Sequence, residues 1–182
     1  MSATGMLRAA VLGCAVVLSG CASLRTPVLD GLAVAASGRL AIRIDAAQPG
    51  ESPRSSTAFF ELLGEPARGE LRLSNSLGTT LAVAYWQPGE AWLRAEGKTR
   101  RYTDLDELTR EMVGEPLPVA ALFDWLRGRP WDGEASEPLP GGEPGFMQLG
   151  WRVELVRADD GLITAVRPAA PSVTVRARLD PG

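Results

Sequence analysis

The chain has 182 residues, no histidine, two cysteines and a formal net charge of −3 at pH 7. Without histidine it cannot form Ser–His or Cys–His nucleophilic sites or the usual zinc ligand sets. The sequence has no basic run of the kind that nucleic-acid-binding proteins present, so we expect no nucleic acid, metal or other cofactor to bind. For hydrolysis, only a carboxylate pair or a serine with Lys98, the sole lysine, remains.

The N-terminal segment has the layout of a secretory signal. One cation, Arg8, precedes an apolar run that ends in Leu18-Ser19-Gly20-Cys21. The run is about a dozen residues long, which is too short for a permanent membrane span. A cysteine directly after Ser-Gly resembles a bacterial lipobox, which implies acylation of Cys21; the alternative is a cysteine buried in an apolar helix. We therefore expect a lipoprotein signal peptide at 1–20, an acylated N-terminus and tether at 21–36, and a single domain at 37–182.

The first half of this domain has the pattern of an antiparallel meander. Apolar and polar residues alternate from Ser37, with Leu40 and Ile42 on the apolar side, as in a strand with one buried face. The turn-rich segment 45–55 predicts a loop, and the later connections are too short for parallel crossovers. Further strands are predicted at 57–63, 69–75, 79–87, 91–95 and 99–102, with a turn at Asn75-Ser76-Leu77-Gly78.

Helical signals then interrupt the strands. The spacing predicts a helix over 105–113, with Asp104 as its N-terminal cap and Gly114 at its end. The remaining predictions are a second helix from Leu117-Pro118 to Leu126, a proline- and glycine-rich loop at 129–145, and strands at 146–156, 162–167 and 172–179. Strands, then two helices, then strands again predict an α+β fold in which helices cover one face of a curved antiparallel sheet.

Several segments together resemble the LolB family of outer-membrane lipoproteins, over roughly residues 37–180. They are Gly38-Arg39-Leu40-Ala41, the turn region 74–80, the stretch from Gln87-Pro88-Gly89 to Tyr102-Thr103, Glu115-Pro116-Leu117-Pro118 with Trp125-Leu126 and Gly128-Arg129-Pro130, and Gln148-Leu149-Gly150-Trp151. Two features depart from the family pattern. Ser76 stands where the family more often has proline, and the aromatic residue common near the family's C-terminus is missing.

The resemblance implies a strongly bent, unclosed antiparallel β-sheet, a half-barrel whose concave hydrophobic side is covered by helices. It implies a protein that accepts lipoproteins from the periplasmic carrier LolA and inserts them into the inner leaflet of the outer membrane, without nucleotide or metal. The implied partners are LolA, the acyl chains of the cargo and outer-membrane lipids, and we expect a monomer. Ala22 stands where an inner-membrane retention signal would have aspartate, which implies an outer-membrane location facing the periplasm.

A cavity for acyl chains needs apolar walls, because each methylene exposed to water costs about 0.8 kcal/mol. The candidate lining residues are Leu40, Ile42, Leu71, Leu73, Leu81 and Val83 from the sheet, with Met112, Leu122, Trp125 and Met147 from the opposite side. The same pattern fits an ordinary close-packed core, and patterning alone does not separate the two.

Leu77 lies between Ser76 and Gly78 at a predicted hairpin tip, where a large aliphatic side chain is unusual. By resemblance it matches the family's protruding leucine, which implies that Ser76, Leu77 and Gly78 form a membrane-insertion loop. The physical reason is that a leucine buried in acyl chains gains roughly 1.5–3 kcal/mol. The alternative is a leucine that folds back onto its own sheet.

Two other functions stay open at this stage. One is an anchored periplasmic protein that binds a lipid or another hydrophobic ligand without any link to LolA. The other is an enzyme that uses Glu111 and Glu115, which lie four residues apart and could imitate a carboxylate pair. A solvated helix face explains these two carboxylates equally simply, and we expect no enzymatic activity.

Overall fold

A computed structural model describes residues 31–181. The predictions for Arg8, Cys21 and Ala22 concern residues outside this range. The described chain forms eleven strands and two α-helices. The strands are β1 (Val34–Ile44), β2 (Arg54–Glu65), β3 (Arg68–Ser74), β4 (Thr80–Gln87), β5 (Glu90–Ala95), β6 (Lys98–Tyr102), β7 (Ser136–Pro138), β8 (Gly145–Gln148), β9 (Trp151–Glu154), β10 (Leu162–Arg167) and β11 (Val173–Leu179); the helices are α1 (Leu105–Val113) and α2 (Val119–Trp125).

All the strands belong to one antiparallel sheet in the order β6-β5-β4-β3-β2-β1-β11-β10-β9-β8-β7. Within residues 31–181 the end strands β6 and β7 do not pair, so the sheet is an open half-barrel. The helices cover its concave face. The predicted α+β class and the unclosed, bent antiparallel sheet are therefore confirmed.

A glycine lies at the centre of this sheet, in the middle strand β1. Gly38 has φ +152°, and a Cβ built on it would lie 2.1 Å from the carbonyl oxygen of Arg178 on β11. Any side chain here would force β1 and β11 apart. This close approach gives a physical reason for the glycine in the Gly38-Arg39-Leu40-Ala41 segment.

The helix layer packs against both halves of the sheet. One cluster joins Leu108 of α1 and Phe123 of α2 to buried residues of β2–β5, such as Leu62. A second joins Trp125 of α2 to β8–β11, where Val153 is fully buried. Because each large apolar side chain contributes about 1.5–3 kcal/mol when buried, this packing holds the helices on the concave face.

The first helix has the predicted bounds and caps. The Asp104 carboxylate accepts a hydrogen bond from the Glu107 N–H at 2.8 Å, and Gly114 ends the helix with φ +93°. The second helix is shorter than predicted. It spans Val119–Trp125, and Leu126 caps it.

The segment from 129 to 156 differs most from prediction. The predicted strand 146–156 is a hairpin, β8 and β9, because Leu149 and Gly150 both have positive φ, +54° and +75°. Two such residues form the tight turn that matches the twist of a hairpin. The predicted loop 129–145 contains the short edge strand β7, and β1 begins at Val34, inside the predicted tether.

Candidate functional site

The hairpin between β3 and β4 presents an exposed leucine. Leu77 is 88% exposed, the highest value among the large hydrophobic residues of the described chain. Its side chain therefore projects from the hairpin and does not fold back onto the sheet. The predicted loop residues Ser76 and Gly78 flank it, and both are exposed as well.

Asn75 fixes the shape of this hairpin. Its side-chain oxygen accepts hydrogen bonds from the N–H groups of Leu77 and Thr79, each at 2.9 Å. The backbone adds two bonds, from the Gly78 N–H to the Asn75 carbonyl and from the Asn75 N–H to the Thr79 carbonyl, each at 3.0 Å. An asparagine that bonds to the backbone two and four residues ahead replaces the stiffness that a proline would supply at Ser76.

A closed apolar cavity lies between the concave sheet and the helices. Its volume is about 40 Å³. Six of the predicted lining residues surround it: Leu40, Ile42, Leu71, Leu73, Met112 and Leu122. The sequence-based list missed other members of the wall, which are Phe60, Leu62, Thr109, Leu117, Val119, Leu126, Val175 and Ala177.

Three predicted cavity residues point the other way. On β4 the inward side chains are Ala82, Ala84 and Trp86, so the assignment of Leu81 and Val83 to the cavity face is wrong. A register shift between Leu73 and Ser74 leaves Leu81 as an extra residue, and it is 46% exposed. The inward face of β4 carries the small residues Ala82 and Ala84. The prediction chose the bulkier residues that alternate with them, and those belong to the other face.

Met147 is the third predicted cavity residue that faces away from the cavity. Phe146 and Gln148 are the buried residues of β8, and Met147 pairs with Arg152 on the outer face. The prediction followed one continuous alternation through Leu149, but the turn at Leu149 reverses the chain. Met147 therefore does not contribute to the cavity wall.

Trp125 lies in the packed core beside the cavity and does not line it. Its ring contacts those of Phe146 and Trp151, with centroids 6.3 and 6.1 Å away. Its Nε1–H donates to Gln148 Oε1 at 2.7 Å. This tryptophan anchors α2 to the sheet half formed by β8–β11.

Gln148 is a structural residue that the sequence-based list of sites did not include. It is 2% exposed, and its amide group makes four hydrogen bonds. Its Oε1 accepts from Trp125 Nε1–H and from the Trp131 N–H, and its Nε2 donates to the carbonyls of Trp131 and Glu134. It thereby ties the 129–135 segment to α2. Its place in the Gln148-Leu149-Gly150-Trp151 segment was the signal that could have identified it.

A second, open cavity of about 340 Å³ lies between α1 and the strands β5 and β6. Met112 lines both this outer space and the closed apolar cavity, and no other described residue does. A salt bridge between Arg100 of β6 and Glu111 of α1, 2.5 Å long, crosses the outer space. Met112 therefore separates this outer space from the apolar cavity, and Leu117 and Val119 separate the same cavity from a further open depression of about 380 Å³.

Glu111 and Glu115 do not form a carboxylate pair. Glu111 bonds to Arg100 on the β6 side, whereas Glu115 bonds to Arg167 of β10 at 2.6 Å. Arg167 also lies over the Trp151 ring, 5.8 Å from its centroid. The two glutamates fasten the helix layer to opposite halves of the sheet.

Between residues 31 and 181, neither helix is long and apolar enough to cross a membrane. Comparison with known proteins gives a consistent match. The family described as "Outer membrane lipoprotein LolB" matches residues 33–175. A Chromobacterium violaceum protein named "Outer-membrane lipoprotein LolB" is 32% identical over 160 residues, covering 84% of each chain. Proteins of the same name from Bordetella petrii (33% identical; 93% of this chain, 84% of the relative) and Dechloromonas aromatica (34%; 79% and 77%) also match.

Proposed function

This chain belongs to the LolB family of outer-membrane lipoproteins, and from that membership we propose that it accepts lipoproteins from the periplasmic carrier LolA. It is a lipid-anchored protein of the outer membrane that faces the periplasm, and it inserts its cargo into the inner leaflet of that membrane. We further propose Cys21 as the acylated residue, with residues 1–20 as the signal peptide and a single cargo-binding domain that begins with β1 at Val34, three residues before the predicted start at 37. The role is transport, and we assign no catalytic residue.

The apolar cavity supports cargo binding. Several acyl chains cannot cross the periplasm exposed to water, because each methylene contributes about 0.8 kcal/mol. The cavity wall is almost entirely hydrocarbon, with Thr109 as its one polar residue, and Thr109 Oγ1 already donates to the Leu105 carbonyl at 2.9 Å. A lining of this kind binds hydrocarbon without selecting a particular headgroup.

The cavity in this structure is too small to hold acyl chains. A cavity of about 150 Å³ in an apolar core accommodates a benzene molecule, and the cavity here is about 40 Å³. Acyl chains therefore require the helix layer to move away from the sheet. The Arg100–Glu111 pair holds α1 to β6, and the Arg167–Glu115 pair holds the α1–α2 connection to β10.

Met112 marks the route by which acyl chains enter. The outer space beside α1 reaches the closed cavity only past this side chain. Methionine is unbranched and flexible, so it can change rotamer at low cost. We place the entrance between α1 and the β5–β6 end of the sheet.

Leu77 supports the insertion step. An exposed leucine on a fixed hairpin can enter the acyl region of the bilayer and gain roughly 1.5–3 kcal/mol. Leu77 is 88% exposed and does not line the apolar cavity. Binding of cargo and entry into the membrane can therefore be separated by mutation.

Transfer from LolA is the direct test. LolA loaded with a radiolabelled lipoprotein is mixed with the Cys21→Ala chain produced without residues 1–20, and the label that moves is measured. We expect most of the label to transfer, and the Leu77→Glu form of the same protein to accept it equally well. A folded protein that receives no label from a functional donor would contradict the receptor role and favour an anchored lipid-binding protein unrelated to LolA.

A further inference from the structure

A row of outward-facing residues crosses the sheet from the base of the Leu77 hairpin. Ser74, the last residue of β3, pairs with Phe59 of β2; Phe59 pairs with Arg39 of β1; and Arg39 pairs with Arg178 of β11. The row lies on the convex face, away from the cavity. With about 4.8 Å between neighbouring strands, Arg178 is roughly 14 Å from the hairpin strand β3.

The two arginines of this row lie directly opposite each other. Like charges in directly opposed positions of neighbouring strands destabilise a sheet. In the described part of the chain neither Arg39 nor Arg178 forms a salt bridge; Arg178 Nη1 donates only to the Asp160 carbonyl at 3.3 Å. The arrangement therefore leaves two exposed guanidinium groups side by side with free donors.

Three carboxylates, Asp159, Asp160 and Asp180, line the same depression as the two arginines, and within the described residues only Asp160 has a cationic partner. Asp160 pairs with Arg157 at 3.1 Å, and Asp180 accepts a hydrogen bond from the Ser37 hydroxyl at 2.9 Å. Asp159 is exposed and lines the same surface depression as the two arginines, without an ion pair to either of them. Arg72, on the same outer face, differs because it pairs with both Glu61 and Glu70.

An exposed aromatic ring connects the arginines to the hairpin. Phe59 is 42% exposed, and the Arg39 guanidinium lies 6.0 Å from its ring centroid. Two surface depressions meet at Phe59 and Asp180. One, of about 450 Å³, extends to Asn75–Gly78 of the hairpin, and the other, of about 720 Å³, includes Arg39 and Arg178. The hairpin, the ring and the arginines thus share one continuous surface.

We propose that Arg39 and Arg178 bind the phosphate of an anionic membrane phospholipid, in the bilayer that Leu77 enters. This inference rests on the proposed insertion role of the hairpin and adds a headgroup site to it. Guanidinium groups present paired donors that match phosphate oxygens. Phe59 supplies an exposed apolar ring beside the arginines, of the kind that is buried at the boundary between headgroups and acyl chains.

The membrane is a better ligand for this site than a soluble anion. Both arginines are exposed, and an ion pair between exposed groups and a free ion is weak in water. At a bilayer, the entry of Leu77 and Phe59 holds the headgroups close, and each arginine near an anionic surface contributes about 1 kcal/mol. Binding at the arginines would also set the tilt at which the hairpin meets the bilayer.

Photocrosslinking to lipid tests this proposal without cargo or LolA. The full chain is reconstituted into phosphatidylcholine vesicles that contain a minor fraction of phosphatidylglycerol with a photoactivatable headgroup, and labelled peptides are quantified. We compare the wild-type chain, Arg39→Gln, Arg178→Gln and the double variant. Arg127→Gln is the control, because Arg127 is also exposed and forms no ion pair within residues 31–181 but follows α2 in the helix layer.

We expect label on the peptides that contain Phe59, Arg39 and Arg178. Each single variant should lose about fivefold in labelling and the double variant roughly thirtyfold, while Arg127→Gln stays at the wild-type level. Unchanged labelling in the double variant would overturn the proposal. Saturable binding of inorganic phosphate that prevents labelling would overturn it too, since the ligand would then be a soluble anion.

The proposed headgroup site and the insertion role of Leu77 can be tested separately. Leu77→Glu is assayed in parallel for delivery of a lipoprotein into the same vesicles. If Leu77→Glu delivers cargo normally, the insertion role of the hairpin fails, whatever the crosslinking shows. If delivery fails but the double arginine variant is labelled like the wild type, only the headgroup site fails.

Discussion

The side-chain oxygen of Asn75 accepts the backbone N–H of Leu77 at 2.9 Å, so the residue that follows β3 positions the most exposed leucine of the described chain. A second bond, from the Thr79 N–H, closes the other side of the turn. The hairpin is therefore ordered before it meets a membrane. Preorganisation of this kind lowers the entropic cost of binding.

Replacing Leu77 tests the role of the tip. Leu77→Glu should leave folding intact, because the side chain is 88% exposed, and should reduce delivery of lipoprotein into vesicles by roughly tenfold or more. Leu149→Glu is the matched control, since Leu149 is a 43% exposed leucine at another hairpin turn. Delivery is measured as radiolabelled cargo that floats with the vesicles. Equal losses in the two variants would contradict a specific role for Leu77.

Replacing Asn75 tests the value of a fixed hairpin. Asn75→Ala removes two acceptor bonds, each contributing about 0.5–1.5 kcal/mol, and should reduce delivery by roughly three- to tenfold while Leu77 remains. Asn75→Asp keeps the acceptor and should retain most activity. NMR order parameters of residues 75–79 provide the second readout. Reduced order without reduced delivery would show that the leucine acts without a fixed turn.

Much of the fold could be predicted from local chemistry. The period-two pattern at Leu40 and Ile42 identified β1, and the Asp104 and Gly114 signals gave α1 its bounds. These signals depend only on neighbouring residues. The predicted meander gave the consecutive order of β1 to β6, whereas the pairing of β1 with β11 depends on contacts far apart in sequence and was not predicted.

The wrongly predicted cavity residues share a physical cause. Period-two analysis assigns the bulkier residues of a strand to the core, but β4 places Ala82 and Ala84 inward, where the helices approach closely, and Val83 outward. Val83 is nevertheless buried, because it packs with Tyr85 and Trp92 on the outer face. Hydrophobicity alone cannot tell which of two buried faces a residue joins. A hairpin turn at Leu149 produced the corresponding error for Met147.

The N-terminal turn of α1 predicts a contribution to acid stability. The Thr103 backbone N–H and hydroxyl donate to the Glu107 carboxylate at 2.9 and 2.8 Å, and these bonds lower the pKa of Glu107 below its ordinary value of 4.5. A carboxylate with a lowered folded-state pKa stabilises the fold above its unfolded pKa, and this contribution is lost as pH falls through the folded value.

As pH falls below 4.5, the free energy of unfolding should therefore decrease less in Glu107→Gln than in the wild-type chain. Urea midpoints between about pH 3 and 6 measure it. Glu137→Gln is the control, because Glu137 is exposed on the edge strand β7. If both variants gave the wild-type dependence on pH, the Thr103–Glu107 bonds would have no role in acid stability.

Gln148 is expected to be the most sensitive polar residue of the core. Gln148→Leu keeps the size of the side chain but leaves its partners on Trp125, Trp131 and Glu134 without bonds. The free energy of unfolding should fall by about 3 kcal/mol or more. The same change at exposed Gln48 should alter it by less than about 0.5 kcal/mol. Urea unfolding followed by tryptophan fluorescence measures both, and equal values would contradict the structural role of Gln148.

The entrance beside Met112 can be tested by locking it. Arg100→Cys with Glu111→Cys, in the Cys21→Ala chain without residues 1–20, gives a protein with no other cysteine. A short, reducible dithiol-directed cross-linker then joins β6 to α1 across the outer space. We expect the locked protein to take up little cargo from LolA, and reductant to restore uptake, because acyl chains must pass between these two elements.

A matched lock elsewhere separates the entrance from general rigidity. Arg167→Cys with Glu115→Cys joins the helix layer to the opposite half of the sheet, away from Met112. If the cavity fills past Met112, this second lock should impair uptake less than the first, although both restrain the same layer. Equal impairment would mean that the helices must separate from the whole sheet before any chain enters. Unimpaired uptake in the first lock would place the entrance elsewhere on the cavity wall.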